Sequence, residues 1–518
     1  MKYLPIDVSS FTRMMTENYL YVDKTEEIYK LFAGGNQYYF LSRPRRFGKS
    51  LLISTLHELF AGNKELFKEL WIYSSKYNWQ QYPVIKLDFS TIGHANTQDL
   101  ENSLSWELDQ IAQTYNINLI KTPNIGAKLK LLIQLLAQKN KVVLLIDEYD
   151  KAILDHIDDT KTAESIRKKL RDFYDVLKGM DDYLRAIFIT GVTKFTKTSL
   201  FSGLNHLNDI SNTGPQATLL GYTQAELEAN FQPYIKKIAK QQKLAYDEAL
   251  KLLKKWYNGY RFSTKTTKVY NPFSVLYCLS RGEFANYWFQ SGTPTFLINV
   301  LRKQPSFVEK LTMSNISVSE LSPFDINTIP LKPLLFQTGY LTIQEYDNTN
   351  KRYRLGFPNQ EVETSFDKFL VTVLAYQNQS DAQDYIFRMR DALDANNLDS
   401  FFKYLQTLLA HIPYHLHLKK EAYYHSLFQL ICTMLGVDVQ SEVATDKGRI
   451  DMIIITKKYI HLFEFKFNKS PQEAMDQIDT KRYAQKYHQS KKKLIAIGVS
   501  FNRSENSSEF DYIAQVVD

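Results

Sequence analysis

One ten-residue stretch limits what this chain can fold into more than any other: Leu41-Ser42-Arg43-Pro44-Arg45-Arg46-Phe47-Gly48-Lys49-Ser50. It follows the apolar run Tyr38-Tyr39-Phe40 and precedes Leu51-Leu52-Ile53-Ser54-Thr55-Leu56, whose pattern is helical. A strand, a tight loop ending in Gly-Lys-Ser and then a helix is the context that a phosphate-binding loop requires. Backbone N–H groups at the helix start would face the phosphates, and the helix dipole adds positive potential there. Lys49 would reach the β- and γ-phosphates, and the Ser50 hydroxyl would sit on Mg²⁺. The place where such loops usually carry their first glycine is Arg43, so Gly48-Lys49-Ser50 taken alone leaves a chance loop open.

A second stretch narrows the choice. Lys141-Val142-Val143-Leu144-Leu145-Ile146-Asp147-Glu148-Tyr149-Asp150 is a charged entry, a β-branched apolar run and then paired carboxylates. Such a run suits a strand buried on both faces of a parallel sheet, with ligands binding at its carboxyl end. Asp147 would hold Mg²⁺, and Glu148 would orient or activate an attacking water. A core strand ending in a solvated acidic turn is the plainer meaning of this run alone. The two stretches together, in this order, indicate nucleotide binding. Tyr82–Ser90 and Arg185–Thr193 read as further strands, with helical spacing over 98–115, 125–139 and 163–178. That alternation predicts a parallel α/β sheet with helices on both faces.

A length of 518 residues exceeds one ordinary core and predicts two to four domains. With 44% apolar and 14% aromatic residues, the composition excludes disorder. A formal charge of +8 permits a polyanionic partner without requiring one. Two cysteines, Cys278 and Cys432, imply neither a disulfide framework nor a cysteine zinc site. The start of the chain has no signal-peptide apolar core, and no run reaches about eighteen apolar residues, so a cytoplasmic, membrane-free setting is expected. Residues 221–301 read as helical, with a capping box at Thr223–Glu226. Leu334–Ile343 and Tyr353–Phe357 read as the two strands of a hairpin around Asp347–Asn350, with Lys351 and Arg352 at its tip.

The C-terminal region carries a second chemical pattern. Gly448-Arg449-Ile450-Asp451-Met452-Ile453-Ile454-Ile455 and Tyr459–Phe467 read as strands joined at Thr456-Lys457-Lys458. Glu464 and Lys466, two apart, share a face, and Asp451 on the neighbouring strand can converge on them. Asp451 and Glu464 would offer hard oxygen ligands to Mg²⁺, and Lys466 would position a water or neutralise developing charge. An antiparallel hairpin with a solvated Glu–Lys pair is the plainer alternative. His461 falls on the opposite face and reads as structural. Lys481, Arg482, Lys486, Lys491, Lys492 and Lys493 form a basic cluster, either a solvated face or a phosphate contact.

Taken together, Tyr21-Val22-Asp23-Lys24-Thr25, the Arg43–Leu51 stretch, Leu200–Asn205, Tyr257-Asn258-Gly259-Tyr260-Arg261-Phe262 and Tyr287–Pro294 resemble the AAA-ATPase-like family, over nearly the whole chain. Members often carry a PD-(D/E)XK nuclease domain at the C-terminus, and Asp451 with Glu464-Phe465-Lys466 resembles that superfamily, Ile450 standing where proline is usual. The resemblance implies an α/β multidomain protein: a P-loop AAA-type parallel α/β ATPase core (1–220), a helical lid (221–325), a winged-helix-like and helical connector (326–410) and a restriction-endonuclease-like α/β domain (411–518). It further implies that the loop from Arg43 through Pro44, Arg45, Arg46, Phe47, Gly48, Lys49 and Ser50 to Leu51 contacts ATP. Thr193 is the implied γ-phosphate sensor, and Arg261 a candidate lid arginine. Glu421 is implied as a further metal ligand, and Gln477, Lys481 and Tyr483 as contacts to substrate.

The function these readings point to is an ATP-hydrolysing, Mg²⁺-dependent protein whose nucleotide state controls a C-terminal nuclease acting on nucleic acid, DNA above RNA, with a homo-oligomer open. The alternative is a nucleotide-dependent binding switch whose nuclease-like domain grips nucleic acid without cleaving it.

Overall fold

A computed structural model describes residues 1–33, 37–119, 122–195, 200–201, 204, 206–288, 314–317, 320–321, 330–366, 379–410, 428–429, 431–432, 435, 437–444, 448–481, 483–487, 490–503 and 508–517. The chain divides into two compact units, Met1–Phe296 with Met313–Val362, and Leu297–Thr312 with Glu363–Asp518.

The first unit is built on five parallel strands: β1 (Tyr38–Ser42), β2 (Val84–Asp88), β3 (Val142–Asp147), β4 (Leu184–Gly191) and β5 (Asn208–Asp209), in the order β2-β3-β4-β1-β5. Every residue of β1 and β3 is buried, as continuous apolar runs in a sheet covered on both faces require. The helix Lys49–Phe60 lays Leu52, Leu56 and Phe60 into a core with Tyr39, Leu41, Val143, Leu145 and Phe188. Asn96, Asn124 and Asp159 cap the helices Thr97–Thr114, Ile125–Ala137 and Thr160–Asp175 by accepting first-turn N–H groups. Because β4 stands between β1 and β3, the carboxyl ends of these three strands open at one place.

Beyond Gly221, the helices Gln224–Gln241, Tyr246–Tyr257 and Pro272–Arg281 share a second core, joined by Leu20 and Val22 of the N-terminal segment. The capping box read at Thr223 and Glu226 is present. A three-stranded sheet follows, β6 (Ser314–Ser317), β7 (Thr342–Asp347) and β8 (Arg352–Gly356), ordered β6-β8-β7. Here the strand expected over Leu334–Ile343 is corrected: Leu331–Thr338 is a helix, ended by Gly339 at φ +92°, and the strand starts only at Thr342. An unbroken run such as Leu334-Leu335-Phe336 carries no period that separates strand from helix.

The second unit holds a mixed sheet of β9 (Asp438–Ala444), β10 (Arg449–Ile455), β11 (Tyr459–Phe467), β12 (Lys493–Arg503) and β13 (Ser508–Val517), ordered β13-β12-β11-β10-β9. Only β11 and β12 run parallel among its neighbouring pairs. The helix Pro471–Thr480 lies on it so closely that a Cβ on Gly498 would collide with the Pro471 carbonyl. Cys278 and Cys432 are both buried and free. No helix among the described residues is long and apolar enough to cross a membrane.

Candidate functional site

The loop between β1 and the helix Lys49–Phe60 is held in a conformation that ordinary residues avoid. Arg46 and Gly48 adopt φ values of +65° and +90°. Left-handed backbone at a non-glycine residue costs about 1–3 kcal/mol and persists where the surroundings over-determine it. Gly48 precedes the helix without a side-chain cap, so the first-turn N–H groups are left to whatever enters the adjoining cavity. That cavity is about 460 Å³ and is lined by Arg45, Arg46, Gly48, Lys49, Ser50, Leu51 and Glu148 together with Pro5–Ser9, Tyr222, Phe273 and Tyr277. A narrower apolar slot of about 80 Å³ adjoins it, sharing Pro5, Met14, Gly48, Leu51, Tyr222 and Pro272 and adding Tyr21 and Val22.

Lys49 is buried, and its ammonium donates to the carbonyls of Arg43 (3.0 Å) and Pro44 (2.9 Å). Burial depresses its pKa, against the pull of Glu148, Asp147 and Asp150. Burial likewise raises the Glu148 carboxyl, with Lys49 opposing. Glu148 itself sits at φ +51°. Asp147 accepts the Glu148 N–H at 3.0 Å and the Thr190 hydroxyl, and with Ser50 and Asp88 it lines a hollow of about 270 Å³. Asp88 ends β2 in register with Asp147. Ser50 and Asp147 on one hollow, beside a loop of open N–H groups and a buried lysine, fit a nucleotide carrying a divalent cation.

Not all residues of the expected nucleotide set face this cavity. The Arg43 guanidinium is buried, donates to the carbonyls of Ser42, Ser211 and Gln216, and lies over the Phe262 ring at 4.2 Å. Phe47 is buried against Tyr260 and Phe262, and Pro44 lies against Gly339. Thr193, two residues past β4, gives its hydroxyl to Asp150 at 2.6 Å, while Thr190 is the residue that touches Asp147. Arg261 donates to the carbonyls of Ser263, Thr264, Lys265 and Gln344. Sequence reasoning missed Asp7, whose carboxylate bonds Arg46 (3.1 Å) and the Tyr277 hydroxyl (2.9 Å) across the cavity. Nothing local in Pro5-Ile6-Asp7-Val8 marks it.

The second unit brings its own three residues together. In the β10–β11 ladder Met452 faces Phe463, which sets Asp451 beside Glu464, and the Asp451 carboxylate accepts the Phe465 N–H at 2.8 Å. Glu464 is 1% exposed; one oxygen takes the Gln477 amide and lies 3.5 Å from the Lys466 ammonium. Its other oxygen is buried with no hydrogen-bond partner among the described residues. Burial first, then the Asp451 charge, raises the Glu464 carboxyl to about 7. A buried acceptor without a donor, beside a second carboxylate, fits a hard cation such as Mg²⁺, which takes one or two carboxylates and keeps several waters. No cluster of three or more His, Cys, Asp or Glu able to hold a metal exists among the described residues. Glu421 and Arg482 lie outside the described residues. Tyr483 is buried and its hydroxyl donates to the Arg449 carbonyl, while Lys481 is exposed at the end of the Gln477 helix. His461 is buried on the other face with its pKa lowered to about 4 by burial, as its structural reading expects.

Residues 5–201 match a family model described as predicted AAA-ATPase, and residues 419–510 match one described as PD-(D/E)XK nuclease superfamily. Over 519 residues the chain is 36% identical to an uncharacterized protein in the vnfD 5′ region of Azotobacter chroococcum mcd 1, covering 98% of each.

Proposed function

The chain belongs to the AAA-ATPase-like family and ends in a PD-(D/E)XK nuclease-superfamily domain, and from that premise we propose that it hydrolyses ATP and that its nucleotide state controls cleavage of nucleic acid. The observation that carries the first half is the meeting of Lys49, Ser50, Asp147 and Glu148 at the carboxyl ends of β1 and β3, the strands that flank β4. Loop N–H groups and Lys49 bind and orient the phosphates. Asp147, fixed by Thr190 and the Glu148 N–H through one carboxylate oxygen, lines the same hollow as Ser50. Glu148, its carboxyl raised by burial, takes a proton from water at its side-chain oxygen.

The second half is carried by the orphaned Glu464 oxygen beside Asp451. A bound divalent cation would supply Lewis acidity and an activated water there. Gln477 and Lys466 hold the Glu464 carboxylate in place, and the Asp451 bond to the Phe465 N–H fixes the second ligand. The substrate class in this reading is a nucleic-acid phosphodiester, with DNA as the partner expected first.

The test uses the full chain with linear duplex DNA, single-stranded DNA and RNA, in Mg²⁺ or Mn²⁺, with and without ATP. ATP turnover that is lost in Lys49→Ala and cleavage that is lost in Asp451→Ala support both halves. ATP turnover without cleavage of any substrate favours the binding switch instead, and no turnover overturns the ATPase reading.

A further inference from the structure

The phosphate loop has a back face as well as a ligand face, and the back face is held by residues far away in sequence. Trp288, 1% exposed, donates its indole N–H to the Arg45 carbonyl at 3.1 Å. Its own backbone N–H and that of Tyr287 donate to one oxygen of Glu361, at 2.8 and 2.6 Å. The second Glu361 oxygen accepts the Ser274 hydroxyl at 2.7 Å. Glu361 is fully buried, which a carboxylate tolerates only when its oxygens are served this way. Beside this link, a Cβ on Gly339 would stand 2.7 Å from the Pro44 ring and 3.5 Å from the Trp288 indole. Two consecutive loop residues are therefore gripped from behind, Pro44 by a backbone approach and Arg45 by a hydrogen bond.

We infer that Trp288, held by Glu361, is a positioning residue for the phosphate loop. The inference rests on the nucleotide reading proposed above and assigns the ligand face a support outside the loop itself. Its physical basis is the planarity of the peptide. In a trans peptide the carbonyl of one residue and the N–H of the next point in opposite directions. A bond that pulls the Arg45 carbonyl toward Trp288 aims the Arg46 N–H the other way. Arg46 at φ +65° needs such outside support, because nothing in its own chemistry favours left-handed backbone. Releasing the indole bond lets this peptide rotate, and the loop then spends part of its time unable to receive phosphate. Affinity falls by the fraction of loop that remains competent.

The test is Trp288→Phe, which keeps an aromatic ring beside Tyr340 and removes the N–H together with part of the indole's bulk. Binding of a fluorescent ATP analogue to the full chain with Mg²⁺ is measured beside thermal melting without nucleotide. One neutral hydrogen bond corresponds to about a three- to tenfold rise in Kd, with the nucleotide-free melting point within a few degrees of wild type. Glu361→Ala should weaken binding in the same direction, and Glu361→Gln, which keeps an acceptor for the Trp288 N–H, should restore most of it. KM for ATP should rise more than kcat falls, since the chemistry at Glu148 is untouched. A Trp288→Phe protein that binds with wild-type Kd overturns the inference, as does one whose lost affinity is matched by a lost fold. Failure of the wild-type chain itself to bind the analogue is a different outcome, which overturns the nucleotide reading beneath it.

Discussion

Replacing Lys49 by Met separates what this lysine does for nucleotide from what it does for the fold. Met keeps the apolar stem and removes the ammonium, which donates to the Arg43 and Pro44 carbonyls. Two hydrogen bonds from a charged donor are worth about 3–6 kcal/mol. Against this, burying an ammonium costs several kcal/mol, and the depressed Lys49 pKa says that this cost outweighs the pull of Asp147, Glu148 and Asp150. Lys49 itself lines the cavity of about 460 Å³, and water entering from there replaces the lost donor at the freed carbonyls. The two effects cancel to within about 2 kcal/mol, so the nucleotide-free melting point should move by only a few degrees. Nucleotide binding has no such cancellation. The same donors directed at phosphate are worth about 3 kcal/mol or more, a hundredfold or greater loss of affinity. At about 100 times the wild-type Kd, MgATP should stabilise the wild-type first unit by about 2.7 kcal/mol and the variant by almost nothing. Differential scanning fluorimetry with and without MgATP reads both quantities. The reasoning is refuted if Lys49→Met keeps the wild-type ATP shift, or if it melts more than about 10 °C lower without nucleotide, which would make the lysine a structural cation.

Three further outcomes follow from the same geometry. Thr190→Val removes the hydroxyl that fixes Asp147, so kcat for ATP should fall about tenfold with KM nearly unchanged, as steady-state kinetics would register. Gly339→Ala combines a left-handed φ, costing about 1–2 kcal/mol, with a contact of 2.7 Å to Pro44; both reduced stability in urea and weaker ATP binding are expected. The Glu361 carboxyl, raised by burial from 4.5 to about 7, is worth about 3 kcal/mol of stability that is present below about pH 4.5 and lost as pH rises through 7. Melting of wild type should therefore decline from pH 5 to 8 more steeply than that of Glu361→Gln, and parallel profiles would show that Glu361 titrates normally.

The residues whose place in the fold is marked by their own neighbours were readable in advance. Gly48-Lys49-Ser50 after an apolar run, Asp147-Glu148 after another, and Glu464-Phe465-Lys466 opposite Asp451 each announce a strand end and its polar load. Residues that act through a distant partner were not. Asp7 meets Arg46 and Tyr277 only once the N-terminal segment crosses the loop. Trp288 and Glu361 are joined to each other by 73 positions of sequence separation and to the loop by a bond spanning 243. Thr193 and Thr190 differ by three places on one strand tip, and only the strand's end at Gly191 decides which hydroxyl reaches Asp147. Arg43 reads as part of the binding loop because it occupies the loop, yet its side chain turns inward to satisfy carbonyls of Ser211 and Gln216, which no local pattern reveals.

Control of the nuclease by nucleotide is tested most directly with two variants that freeze opposite states of the first unit. Glu148→Gln should hold ATP without turning it over, and Lys49→Met should hold none. Cleavage of linear duplex DNA in Mg²⁺ is followed for each in the presence of ATP, with Asp451→Asn as the inactive reference. Coupling predicts that the two variants cleave at rates differing by about tenfold or more, the corresponding free energy lying within the usual range for coupled sites. Equal, Asp451-dependent rates in both would contradict it, leaving two activities on one chain that do not communicate.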